Sequence, residues 1–158
     1  SSDLDLRRRI EFGDYTATLA TTPEVPVSGS ETEILITLDR GGEPVSDLEL
    51  LLGSEVHLAS WRIDGHNFGH AHSYTAHMAE MMDKMHDRRL PPAERARRMT
   101  AMMVAMNRMT PELEFPGPEV PLRHIFPEPG TYVLFFHMAP GGDSRYFRFM
   151  LETESPPS

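Results

Sequence analysis

The chain has 158 residues, enough for one domain whose core needs neither disulfide nor metal to hold it. Its formal charge is −9, and a single lysine, Lys84, stands beside fourteen arginines, so no phosphate-neutralising surface and no nucleic-acid partner are expected. Cysteine is absent, which excludes disulfide frameworks, thiolate metal sites and blue-copper centres and leaves methionine as the soft donor.

The first thirteen residues, with the Arg7, Arg8, Arg9 run, read as a flexible, solvated segment. No stretch is apolar for long enough to span a membrane. The chain begins at Ser1, which is read as a mature form with any targeting segment or anchor already removed. From Asp14 to Ile63 the texture is that of strands. Tyr15, Ala17 and Leu19 alternate with threonines, Ile34, Ile36 and Leu38 line one face of a second strand, and Gly41-Gly42-Glu43-Pro44 supplies a turn. Val56 to Ile63 follows, with His57 and Trp61 on one face and Leu58 and Ser60 on the other.

Residues from about 73 to 110 are different. They hold no glycine, and Ala, Met, Glu and Arg dominate, so a helical hairpin broken at Pro91-Pro92 and closed by Thr110-Pro111 is expected as an insertion. Strand texture returns at Val120 to Phe126, Thr131 to Met138 and Arg145 to Leu151, with turns at Pro129-Gly130 and Pro140-Gly141-Gly142-Asp143. Short strands punctuated in this way predict a mainly β protein, a single antiparallel β-sandwich over 14–153 followed by a flexible tail over 154–158.

Nine of the eleven methionines lie between Met78 and Met109. Met78, Met81 and Met85, with Met82 beside them, form a stripe on the first helix, and Met99, Met102, Met106 and Met109 form one on the second. Such stripes are ordinarily a hydrophobic seam. Methionine specifies packing poorly, however, and these helices offer few other large aliphatics than Leu90 and Val104. His77 precedes Met81 by one turn and His86 follows Met82 by one turn, so imidazoles border the thioether faces. Thioethers with imidazoles suit Cu(I). An adaptable surface for apolar partner helices is the alternative use of the same stripes.

Histidines also mark the β framework. His70 and His72 lie on one side of an extended Gly69-His70-Ala71-His72 segment. His137 points away from the apolar face made by Tyr132, Leu134, Phe136 and Met138, toward the side that carries Val133 and Phe135. If His57 and Trp61 share that side, three or four imidazoles converge. His66 and His124 are read as turn and structural histidines without a ligand role.

The segment Val56-His57-Leu58, then Trp61-Arg62-Ile63-Asp64, then Phe68-Gly69-His70-Ala71-His72 resembles the H-L, R-x-D, F-x-H-x-H pattern of certain bacterial extracytoplasmic domains. These are the immunoglobulin-like or cupredoxin-like domains that accompany copper and heavy-metal resistance systems, and Phe126-Pro127-Glu128-Pro129-Gly130-Thr131-Tyr132-Val133-Leu134 resembles one of their strands. The resemblance spans the β framework from about residue 30 to 150. It implies a periplasmic or membrane-anchored setting and metal binding at His57, His70 and His72. The chain departs from the pattern at Ser73, where proline is usual, and at His137, where glutamine is usual.

The expected function is therefore copper binding in the bacterial cell envelope, as a carrier, storage or resistance factor, with Cu(I) or Cu(II) as the ion and zinc as the competing choice. A membrane transporter or copper enzyme is the expected partner. The alternative is a docking module for a membrane metal-handling complex, in which the histidines are incidental. No G-x-S-x-G setting, phosphate loop or acid/base pair calls for an enzyme.

Overall fold

The computed structural model describes residues 6–73, 89–108 and 112–158, the side chains of 106–108 excepted. The chain divides into two compact units, Ser1–Ser73 with Leu113–Ser158, and Tyr74–Glu112. The first is an antiparallel β-sandwich. One sheet runs β1 (Arg9–Phe12), β2 (Tyr15–Thr22), β3 (Glu31–Arg40) and β4 (Glu43–Pro44), with β8 (Glu119–Ile125) also paired to β3. The other runs β10 (Arg145–Thr153), β9 (Gly130–Pro140), β6 (Val56–Arg62) and β7 (Gly69–His72), with β5 (Leu48–Glu49) also paired to β9.

Alternation decides which side of each strand is buried. Ala17, Ile36, Leu38 and Val120 from the first sheet meet Val56, Leu58, Tyr132, Leu134, Phe136 and Phe149 from the second, all essentially inaccessible to water. Aromatic rings tie this interior together edge to face, with Phe126 and Tyr132 centred 4.9 Å apart and Phe136 and Phe149 5.7 Å apart. The Tyr132 hydroxyl donates back to the Glu128 carbonyl at 2.8 Å, fixing the corner through which the chain enters β9, as tyrosines do in Greek-key sandwiches.

The N-terminal segment is more ordered than its composition suggests. Arg9–Phe12 pair with Tyr15–Thr18 as an edge strand, and the Leu19 N–H donates to the Arg8 carbonyl at 2.7 Å. The Arg8 guanidinium also donates to Thr21 and to the Glu24 carbonyl. Charged side chains on an edge strand leave its ladder partners free to hold it, which a reading of the Arg run as a solvated tail overlooks. At the other end Glu154, placed in the tail, exchanges backbone hydrogen bonds with Pro26 and Ser28.

The second unit contributes one described helix, α1 (Pro92–Arg108), the second arm of the expected hairpin. Pro92 opens it where a missing N–H costs nothing, and Glu94 in the first turn pairs with Arg97 and Arg98 one turn on. Met99 and Met103 are exposed, and Met102 is half-buried. The first arm falls within 74–88, so His77, Met78, Met81, Met82, Met85 and His86 lie outside the described residues, as do the Met106 side chain and the closing Thr110-Pro111.

A histidine row on the outer face of one sheet

The register of β7, β6 and β9 sets three histidines side by side. His57 pairs with His72 on one flank and with His137 on the other. All three alternate with buried neighbours, Val56 and Leu58, Ala71 and Ser73, Phe136 and Met138, so their rings share the outer face. The row continues to β10, where Tyr146 is opposite His137 and stacks on it with centres 3.9 Å apart and planes 11° off parallel.

The ladder gives the two flanks different spacings. The Ser73 N–H donates to the Val56 carbonyl at 3.0 Å, so 56/73 is a hydrogen-bonded pair and 57/72 is the closer, non-hydrogen-bonded kind. A metal–imidazole bond of about 2.0 Å sets two rings on one ion with centres roughly 4.5–6.4 Å apart, and those of His57 and His72 are 6.1 Å apart. Each of these rings also bonds a backbone carbonyl. His57 donates from Nε2 to the Leu51 carbonyl, which leaves Nδ1 as its acceptor nitrogen. His72 donates from Nδ1 to the Ser73 carbonyl at 3.0 Å, with the Ser54 hydroxyl also near, which makes Nε2 its acceptor nitrogen. A carbonyl that takes one ring proton fixes the tautomer, and metal-binding histidines are commonly held in this manner.

His137 is held differently. Its Nε2 is shielded from water and, among the described residues, has no hydrogen-bond partner. Burial first, and the charge of His57 second, push its pKa down, which keeps the imidazole neutral. A neutral ring with an unsatisfied nitrogen is a donor set that a cation would complete. The row is not a ready-made cage, however. Among the described residues no three His, Asp or Glu donors already surround a common point. Three rings on three neighbouring strands must tilt toward the central His57 before they share one ion.

Other histidines take separate places. His70 lies on the same outer face one row along, exposed and paired with Ala59. His66 is exposed in the β6–β7 turn, where its carbonyl accepts from the Arg62 N–H. His124 faces the interior, shares a 2.9 Å hydrogen bond with the Ser60 hydroxyl and stands edge-on to Phe126. Burial drives its pKa down to about 4, with the charge of His70 adding to the effect. It also accounts for Gly69, since a Cβ there would sit 3.0 Å from the His124 ring.

The R-x-D pair is structural. Arg62 bonds Asp64 at 2.6 Å and Glu128 at 2.7 Å, tying the β6–β7 turn to the Phe126–Gly130 turn and holding Asp64 at about 2, chiefly through its hydrogen bonds to that carboxylate. Beyond it lies an aromatic column of Phe68, Trp61 and Phe135, with Trp61 centred 6.1 Å from Phe68 and 5.3 Å from Phe135, and Phe68 is 68% exposed.

A family defined as a domain of unknown function, DUF8832, matches residues 10–155. The chain belongs to the DUF8832 family. The match takes in both sheets and the insertion, so the histidine row and the helix are parts of one DUF8832 domain. Among curated proteins nothing matches it. Among solved structures, this DUF8832 domain is similar to a DUF4426 family protein from Pseudomonas aeruginosa, at 11% identity and a TM-score of 0.48, with 96% of this chain and 100% of the other covered. A likeness of that size bears on neither chemistry nor partners.

Sequence reasoning missed Tyr146 and the partner of His124. Alternation along Arg145–Leu151 puts Tyr146 on the outward side, so that signal was present; the bond from Ser60 to His124 spans 64 residues and has no local sign.

Proposed function

We propose that this protein binds copper through the histidine row, with His57 and His72 as a chelating pair and His137 as the third imidazole. One observation carries the reading: His72, His57 and His137 occupy directly opposed positions on three adjacent strands, on a face where simple solvation needs no such alignment. The carbonyl-held tautomers and the unpaired His137 Nε2 support it. Imidazole serves zinc as well as copper; the preference for copper rests on the methionines of the insertion, and exposed Met99 and Met103 leave thioethers accessible to a soft ion. His70 is an outlying donor on the same face. His77, Met78, Met81, Met82, Met85, His86, Met102 and Met106 enter the proposal from their sequence spacing alone. An envelope location, and exchange of the ion with a membrane transporter or copper enzyme, complete it.

The Phe68–Trp61–Phe135 column, with Phe68 exposed and the other two rings half-buried, favours a second reading, a docking module. Competition with chromophoric chelators for Cu(I) and Cu(II), with zinc titrated in parallel, separates the two. Copper binding at micromolar protein or better, weakened at least about tenfold for Cu(II) in a His57→Ala/His72→Ala double variant, is the expected result. Zinc held more tightly than either copper ion replaces the metal, and no competition by any ion overturns metal binding in favour of docking.

A further inference from the structure

Glu55 is a buried carboxylate, and a glutamate is almost never fully buried unless its oxygens are paired. It precedes β6, is 4% exposed, and accepts hydrogen bonds from groups at both points where the chain leaves and re-enters the sandwich. Its Oε2 accepts from the Ser73 hydroxyl at 2.6 Å, and its Oε1 accepts from the backbone N–H groups of Glu114 at 2.9 Å and Phe115 at 3.2 Å. Ser73 is the last residue before the insertion and Glu114 lies just after it. The same Ser73 hydroxyl accepts from the N–H groups of Glu55 and Val56 in turn, closing the knot.

We propose that Glu55 is the positioning residue of the Tyr74–Glu112 insertion, one buried carboxylate that fixes both of its roots together and, through Ser73, sets the stance of His72. Four backbone N–H groups and one hydroxyl converge on these two side chains, beside the packing of Phe115 against the core. Burial alone would push the Glu55 carboxyl up, but the hydrogen bonds from Ser73, Glu114, its own N–H and Phe115 outweigh it and hold the group below the ordinary range, ionised at neutral pH. The charge is therefore spent on backbone groups and is no free ligand. His72 follows because its Nδ1 donates to the carbonyl of Ser73, the residue whose hydroxyl Glu55 grips. Only this last step rests on the metal reading above.

The test is native-state trypsin cleavage at Arg95, Arg97 and Arg98 of α1, compared among wild type, Glu55→Ala, Ser73→Ala and a core control, Leu134→Ala. Denaturant is adjusted so that all four have equal global stability. Glu55→Ala and Ser73→Ala should be cut at least about tenfold faster than the control, because opening of the insertion is uncoupled from unfolding of the sandwich. Equal cleavage in variant and control overturns the proposal. Should Glu55→Ala fail to fold, Ser73→Ala and Glu55→Gln, which keeps one acceptor oxygen, decide by the same comparison. In a second arm, Ser73→Ala should weaken Cu(II) binding by about tenfold while every imidazole is retained. If wild type holds no ion, the metal reading fails and the proteolysis still decides the role of Glu55.

Discussion

Inside the sandwich, His124 is buried, shares a hydrogen bond with the Ser60 hydroxyl and stands against the edge of Phe126. Outside, His57, His72 and His137 line up across three strands, two with carbonyl-held tautomers and one with a nitrogen left unsatisfied. The difference teaches what a histidine in a β-sandwich is for. A single buried ring that finds one hydroxyl is complete as a neutral packing group, whereas opposed rings on an outer face add nothing to the core, and metal binding is the role proposed for them.

That comparison breaks most severely if the interior is not what stabilises the molecule. Leu134→Ala, at a position sealed between the sheets, should cost about 3 kcal/mol in urea unfolding. His57→Ala, on the opposite face of the same sheet, should change metal-free stability by less than about 1 kcal/mol. Similar losses at both positions would make the outer row a packing element.

Acid sharpens it next. Because burial holds His124 at about 4, the unfolded chain takes up a proton between pH 6.5 and 4 that the folded protein refuses. Its contribution is therefore present in full above 6.5 and is lost as the pH falls to about 4, an effect on the order of 2–3 kcal/mol. Denaturant midpoints across that window should fall more steeply in wild type than in His124→Gln. Parallel slopes would mean that His124 is hydrated after all.

The finest comparison is between two polar atoms that lack partners among the described residues. Thr32 Oγ1 is buried on β3, opposite His124 in the ladder, and His137 Nε2 is shielded on the outer face. Thr32→Val should be neutral or raise stability by up to about 1 kcal/mol, since an unsatisfied hydroxyl is removed without loss of shape. His137→Phe, which keeps a ring against Tyr146, should be equally harmless to the metal-free protein, yet lower Cu(II) affinity by about tenfold. A large loss of stability from His137→Phe would show the imidazole to be structural.

Much of this was legible in the chain itself. Alternation put Leu58 and Ser60 on one face against His57 and Trp61 on the other, and Tyr132, Leu134, Phe136 and Met138 inward against His137 outward; the structure buries Leu58 and Ser60 and agrees on the second set. The Pro91-Pro92 break also marked the start of α1. The strand at Arg9–Phe12 was not legible, because its polar outward residues look like a solvated tail until β2 is beside it. Glu55 was equally silent, since a lone carboxylate before a strand looks solvated unless its donors, 18 and about 60 residues away, are known.

The sequence by itself determined the sandwich and, for the strands it marked, which residues share a side, because a period of two ties burial to parity within a single segment. Only the tertiary structure decided that His57 stands opposite both His72 and His137, and that one carboxylate joins residues 73 and 114. Those facts depend on register between strands, and register is set by how whole sheets pair and pack, which no local pattern encodes.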